Sequence, residues 1–292
     1  MSDIECVVDA KAILGEGTFW DTREQVLWWI DIWAPAIHRF DPATREDRVF
    51  PAPEYLGCLA TRAKGGLVVT MASGFHFFDP VAGRFDPIAD PEAGMPETRF
   101  NDGKTDRQGR FWSGTMFEAE GPPRRIGSLY RLDPDLSVHR IVEGIGCSNG
   151  LAWSPDSRTM YYSDSHTTLV WAFDFDPATG AAENRRVFTD VAETGGIVDG
   201  ATVDVEGCYW ATIPVTSKIC RYDPAGRLMR TILLPTDLPT CVGFGGKDLD
   251  VLYCTSAVLR RPAAKIRGAA LAGGLFAVDA GVRGLPEAPF AG

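Results

Sequence analysis

Four polar side chains interrupt apolar stretches of this chain beside a glycine: Glu16 in LGEGTFW, Asn101 in RFNDGKTD, Asn149 in CSNGLAWSPD and Asp199 in VDGATVD. Together they offer a cation nothing but oxygen. Carboxylate and amide oxygens suit Ca²⁺, Mg²⁺ or Mn²⁺ most directly, and Zn²⁺ or Fe²⁺ once water or a further ligand is added. A simpler reading takes Asn-Gly and Asp-Gly as turn residues, and for any single one it is equally good. It loses ground for the four together, because Glu16 has no turn role of its own. The four are remote in sequence, so they form one site only if the fold gathers them.

The elements that could do so recur along the chain. An aromatic residue or Leu, then Asp-Pro, then a turn, appears at Asp41-Pro42, Asp79-Pro80, Asp133-Pro134, Asp176-Pro177 and Asp223-Pro224, with a looser copy at Asp279. Intervals of roughly 40 to 55 residues mark propeller blades or another repeat array. Each phrase closes a run rich in Val, Ile, Phe, Tyr and Trp, so it reads as a strand ending in a tight turn. Two or three strands are legible per copy. Six copies predict an all-β, six-bladed β-propeller with a central channel, residues 1–292 forming a single domain. The N-terminal CVVDAKAIL is expected to add a strand that closes the last blade and removes exposed edges. Polar residues at blade starts point toward a propeller's axis, and the four come from four different blades. Helical periodicity is absent, apart from a possible turn in Ala257–Ala270.

Composition narrows the functions. With a net charge of -10 and no basic stripe, the chain is not expected to bind nucleic acid. No apolar run approaches the roughly 18 residues of a membrane span, and MSDIECVVDAK carries no signal-peptide pattern. The seven cysteines are odd in number, dispersed and free of CxxC, which predicts reduced thiols in a cytoplasmic protein and no cysteine-held zinc. Oligomeric state leaves no mark in the sequence.

The strings LGEGTFW, RFNDGKTDRQGRFWSGTM, SNGLAWSPDSRTMYYSDS, NRRVF, VDGATVDVEGCYW and GGLFAVDAGVRGLPEAPFAG resemble the SMP-30/gluconolactonase/LRE family over essentially the whole chain. The resemblance implies one divalent metal ion (Ca²⁺, Zn²⁺, Mn²⁺ or Mg²⁺) in the channel, and hydrolysis of a sugar lactone to the aldonic acid. It implies Glu16, Asn149 and Asp199 as metal ligands, and Arg99 and Asn101 as substrate contacts, with Asn101 also near the metal. Glu118, in GTMFEAEG, matches a position that touches sugar hydroxyls, with Glu120 close by as a rival. In the chemistry this suggests, the metal polarises the carbonyl and Asp199 is the general base on water. Arg99 would help hold developing negative charge. Two other readings share the site: a metal-dependent phosphotriesterase, and a non-enzymatic calcium-binding or scaffold propeller. Arg99 and Asn101 favour a polyhydroxylated substrate. Which sugar is left open.

Other signals carry less. Gly146–Gly150 fits G-x-S-x-G, but the pattern that follows is strand-turn-strand where a nucleophile elbow needs a helix. Gly103–Thr105 imitates the end of a phosphate loop, yet Thr98 stands where its first glycine belongs. The four histidines lack metal-binding spacing; His166 could approach the channel mouth, though a loop role suits it better. Trp29 and Trp33, on either side of Asp31, are candidates for the channel wall, and Tyr55, Cys58 and Met116 for substrate selection. The remaining strand tryptophans are expected in the core, and Asp204 is expected to fix its own turn.

Overall fold

The computed structural model describes residues 4–259 and 261–292. The chain enters on β1 (Ile4–Val8) and then builds blades in sequence. Blade 1 is β2 (Gly15–Asp21), β3 (Val26–Asp31), β4 (Ala36–Asp41) and β5 (Glu46–Pro51). Blade 2 is β6 (Leu56–Thr61), β7 (Leu67–Met71), β8 (Gly74–Asp79) and β9 (Arg84–Ala89). Blade 3 is β10 (Thr98–Thr105), β11 (Phe111–Phe117), β12 (Gly127–Leu132) and β13 (Val138–Ile145). Blade 4 is β14 (Ser148–Trp153), β15 (Thr159–Asp164), β16 (Leu169–Asp176) and β17 (Ala181–Asp190). Blade 5 is β18 (Ala201–Val203), β19 (Tyr209–Ile213), β20 (Lys218–Tyr222) and β21 (Leu228–Leu233). Blade 6 takes β22 (Pro239–Gly245), β23 (Val251–Ser256) and β24 (Leu275–Asp279), and β1 joins the outer edge of β24. The fold is the six-bladed β-propeller that the repeats predict.

Each blade holds four strands, one more than the pattern made legible. The missing one is the outermost. Its residues are largely exposed, as in Glu46–Pro51 and Leu228–Leu233, so they lack the alternation that betrays a half-buried strand. The innermost strands are buried throughout in every blade but the third, and neighbouring innermost strands touch around the ring.

The Asp-Pro phrase terminates the third strand of each blade. In five copies the carboxylate accepts the backbone N–H two residues on: Ala43 to Asp41, Val81 to Asp79, Ala178 to Asp176, Ala225 to Asp223 and Gly281 to Asp279, all at 2.8–2.9 Å. These are Asx turns, a local interaction that needs no help from the rest of the fold. Asp133 departs from the pattern and pairs with Arg131.

Blades are joined by aromatic pairs at all six interfaces. They are Phe50–Phe78, Phe75–Phe100, Trp112–Trp153, Tyr161–Tyr209, Trp210–Phe244 and Trp20–Tyr253, with ring centroids 4.9–6.0 Å apart. Each such pair contributes about 0.5–1.5 kcal/mol beyond its buried area. Asp204 is wholly buried and accepts from the Trp210 indole at 2.8 Å, the Arg221 guanidinium and two backbone N–H groups of its own turn. It is a turn-fixing residue.

After β24 the chain crosses the ring. Gly284 donates to Leu249, Val205 to Arg283, Ala291 to Gly109 and Phe290 to Thr61, so the tail visits blades 6, 5, 3 and 2 in turn. Lys104 meets Glu287 at 2.8 Å beneath the channel, and the Phe290 ring is fully buried among residues of blades 1 to 3. These contacts lie at the far ends of the innermost strands, so the tail straps the face opposite Glu16 and Asn149. Among the described residues the helices are two single turns, Ala192–Thr194 and Ala263–Lys265. None is long and apolar enough to cross a membrane.

Candidate functional site

The innermost strands share a device that aims side chains at the axis. Register shifts fall between Glu16 and Phe19, Leu56 and Leu59, Phe100 and Gly103, Asn149 and Ala152, and Pro239 and Val242. A β-bulge re-aims the side chain beside it, and bulges recur next to functional sites for that reason. Gly17 and Gly150, just after Glu16 and Asn149, have φ of 63° and 67°, backbone that other residues adopt only with strain. The glycines after Glu16 and Asn149 therefore belong to the geometry that points those two residues inward. Asp199 sits just ahead of β18, its N–H bonded to the Thr212 carbonyl at 3.1 Å.

The side chains meet in one continuous string. Glu118 accepts from Arg99 Nε at 2.8 Å, and Arg99 Nη1 donates to Asn101 Oδ1 at 2.9 Å. Asn101 Nδ2 donates to the Ser148 carbonyl at 3.0 Å and to Asn149 Oδ1 at 3.2 Å. The Asp199 and Glu16 carboxyls and the Asn149 amide lie close enough to act on one another electrostatically. Residues from blades 1, 3, 4 and 5 thus converge on the channel axis. Glu118 spends one carboxylate oxygen on Arg99 and is one-third exposed, while Glu120 stands out in solvent.

Electrostatics at this point are lopsided. Glu16 is buried, and desolvation raises its pKa well above the ordinary value, with the Asp199 and Asp102 charges adding to the rise. Desolvation and then the Asp102 charge push Asp199 up as well, and desolvation lifts Asp102 to about 6. Asp199 and Asp102 keep part of their surface open to the channel, so water there tempers the desolvation. With no cation to offset their charge, both carboxyls are pushed toward the protonated form. The two nearby cations are already engaged, Arg99 by Glu118 and Lys104 by Glu287.

That imbalance fits a hard divalent cation. Glu16 supplies a buried carboxylate, Asp199 a partly open one and Asn149 an amide oxygen, and a positive ion would replace the protons the carboxyls retain. Among the described residues no group of three or more His, Cys, Asp or Glu forms a metal site, so the amide is needed to complete the donor set. The thiols are poor competitors: all seven cysteines are free, and burial holds Cys58 and Cys147 protonated, each pushed up to about 12.

A consequence can be measured without substrate. Below the ordinary carboxyl pKa both states of the protein are protonated at Asp199. Above it the unfolded chain ionises, while Asp199 in the folded protein holds its proton up to about 8. The cation-free protein should therefore lose stability as pH rises from about 4 to about 8, and a divalent cation should restore most at the upper end. Thermal melts of chelator-treated protein across that range, with and without added cation, check this; a flat cation-free profile refutes the buried pair.

Some sequence expectations fall elsewhere. Trp29 is not on the channel wall: it is buried at the blade 1–6 interface and stacks on His38 with centroids 3.8 Å apart. Trp33 packs against the core shared by blades 1 to 3. Their neighbour Asp31 accepts backbone N–H groups of Ile13, Leu14, Trp33 and Ala34. Cys58 is at the axis but fully buried, its thiol bonded to Thr70 and Ser113. Tyr55 is an exposed surface residue. Met116 does reach the site's edge, its sulfur 3.7 Å from Cys147. His166 is exposed beside Gly146, with its backbone N–H on Asp164. Sequence reasoning passed over Asp102, hidden in the Asn-Asp-Gly run, and Ser165, which bonds Asn149 from the next strand end.

With the geometry established, the chain can be set beside known proteins. The family model described as SMP-30/Gluconolactonase/LRE-like region matches residues 14–258. The chain is 37% identical over 290 residues to the 6-deoxy-6-sulfogluconolactonase of Pseudomonas putida, covering 99% of each. It is 36% identical to the regucalcin of Danio rerio, over 99% of this chain and 98% of that one. The crystal structure of a calcium-binding regucalcin from Agrobacterium tumefaciens superimposes with a TM-score of 0.93 at 26% identity, covering 99% of this chain and 97% of that one.

Proposed function

The chain belongs to the SMP-30/gluconolactonase/LRE-like family, and from that premise we propose that it is a metal-dependent lactonase opening a sugar lactone to its aldonic acid. The observation that carries the reading is the convergence of Glu16, Asn149 and Asp199 beside the Arg99–Asn101 pair. Names of relatives support the substrate class: one acts on a sulfonated gluconolactone.

Glu16, Asn149 and Asp199 would hold the ion. When bound, it supplies Lewis-acid polarisation of the lactone carbonyl and lowers the pKa of nearby water. Arg99 and Asn101, locked to each other, orient the ring hydroxyls, and the guanidinium offsets negative charge gathering on the carbonyl oxygen. Asp199 takes the proton from water as its oxygen bonds to the carbonyl carbon. Collapse of the adduct breaks the ring C–O bond, and the departing ring oxygen recovers a proton from Asp199. The product is a hydroxy acid, which releases its own proton to solution. Glu118 holds Arg99 through one oxygen and can meet a hydroxyl with the other. The free cysteines support a cytoplasmic setting.

The test is turnover of a panel of aldonolactones, including a C6-sulfonated one, and of a phosphotriester, by stripped protein reloaded with one ion at a time. Lactone opening that depends on the added ion is expected. Phosphotriester turnover alone, or cation binding with neither activity, would replace the lactonase reading by one of its rivals.

A further inference from the structure

We propose that Ser165 is a positioning residue that fixes which end of the Asn149 amide faces the channel and ties that ligand to Asp199; the inference rests on the metal-site reading above. Ser165 follows β15 and is buried. Its hydroxyl makes two short bonds, to Asn149 Nδ2 at 2.7 Å and to the Val198 carbonyl at 2.6 Å.

Counting protons decides the orientation. A serine hydroxyl has one proton to give, and a backbone carbonyl can only accept. The proton is therefore spent on Val198, and Oγ can offer Asn149 nothing but lone pairs. The NH₂ end of the Asn149 amide must face Ser165, which sends Oδ1 to the other side. A second count, independent of the first, agrees. Arg99 can only donate, so it claims Asn101 Oδ1; the Ser148 carbonyl can only accept, so it claims Asn101 Nδ2. Asn101 Nδ2 then faces Asn149, whose near atom must be an acceptor, and it is Oδ1 at 3.2 Å. The consequence for a cation is large. An amide turned through half a rotation would present N–H hydrogens where the ion needs an oxygen.

Ser165 is itself held. Its N–H bonds the Cys147 carbonyl at 2.9 Å, two residues before Asn149. The wholly buried Asp164 carboxylate, one residue earlier, takes the N–H groups of Gly146, Cys147 and His166 and the guanidinium of Arg125. On the other side, Val198 precedes Asp199 at the end of the segment joining β17 to β18, where the backbone has only a single helical turn of its own. One hydroxyl thus couples an Asn on blade 4 to an Asp on blade 5, an arrangement in which groups behind the ligands commonly set metal affinity.

The experiment is calorimetric titration of Ca²⁺ and Mn²⁺ into chelator-stripped protein, without substrate. Ser165→Ala should weaken cation binding roughly 10- to 100-fold, with a modest drop in the cation-free melting temperature from the unpaired Asn149 N–H and Val198 carbonyl. Ser165→Thr, which keeps the hydroxyl, should stay within about threefold of wild type. In an Asn149→Asp background, which has no N–H to orient, the penalty for Ser165→Ala should shrink to less than about a third, as expected for coupled residues. If Ser165→Ala does not fold, Ser165→Cys keeps a side chain of similar size with a poor acceptor and should show the same loss of affinity. Wild-type affinity in Ser165→Ala, or an undiminished penalty beside Asn149→Asp, overturns the positioning role and leaves the metal reading standing. A wild-type protein that binds no divalent cation overturns both.

Discussion

Asp199→Asn is expected to lower kcat for lactone opening by about a thousandfold, the middle of the range for losing a general base. The amide keeps the shape of the carboxylate and can still offer one oxygen to a cation, but it cannot take a proton from water. The same change removes one of two ionisable carboxyls that burial penalises, and with it a charge that helps to raise the Glu16 pKa. The cation-free variant should therefore melt at or above the wild-type temperature while being nearly inactive. Stability and activity moving in opposite directions separate a chemical role from a structural one. The measurement is initial rate by pH-stat at saturating cation, with cation affinity determined on the same preparation. A rate within tenfold of wild type under those conditions assigns the base to another group, with Glu16 and Asp102 the alternative carboxylates.

Phe290→Ala should cost about 3–5 kcal/mol of stability, as for other fully buried aromatic truncations. The ring has no exposed surface, lies 6.4 Å from Phe77 and is counted among the core residues of blades 1 to 3. Backbone bonds from Phe290 to Thr61 and from Ala63 to Phe290, both 2.8 Å, fasten the strap on either side of it. Urea denaturation reads the loss directly. Limited proteolysis should first release the segment after Leu285, because its remaining ties are the Lys104–Glu287 pair, bonds from Thr105 to the Ala288 carbonyl and from Arg62 to the Gly292 carbonyl, and a few backbone bonds. A loss below about 1 kcal/mol would mean that the strap lies on the ring without stabilising it, as surface substitutions do.

The reading from sequence succeeded where the chemistry is local. Asp-Pro turns announce themselves because the Asx bond spans two residues, so six blades could be counted without knowing how they pack. The four oxygen-bearing residues were visible because each breaks an apolar run beside a glycine; the structure sets Asn101 against Asn149 and Glu16 near Asp199, and their roles are the proposal made above. What failed was anything decided by the face a residue presents in three dimensions. Trp29 neighbours Asp31 in sequence, but it lies on the second strand of its blade and turns toward Tyr253 and Leu275 of blade 6. The outermost strands vanish into solvent-like composition, as in Ala181–Asp190. The strap LPEAPF has no periodicity at all, since it follows the ends of other strands and builds no sheet. Ser165 was passed over because a serine after Ser-Asp looks like turn material until its two partners are seen.

The sixth sheet has a consequence for biogenesis. Its outermost member comes from residues 4–8 and its other three from residues 239–279. At roughly 5–20 residues per second of translation, the earliest-made strand waits tens of seconds while five sheets assemble ahead of its partner. During that delay its backbone donors and acceptors are unmet, and nascent copies on one polysome carry interchangeable versions of the same ribbon. Exchange between them would give a ring clasped by its neighbour's leading segment, so extra sequence fused ahead of Ile4 is expected to raise the share of strand-exchanged species, which size-exclusion chromatography reads.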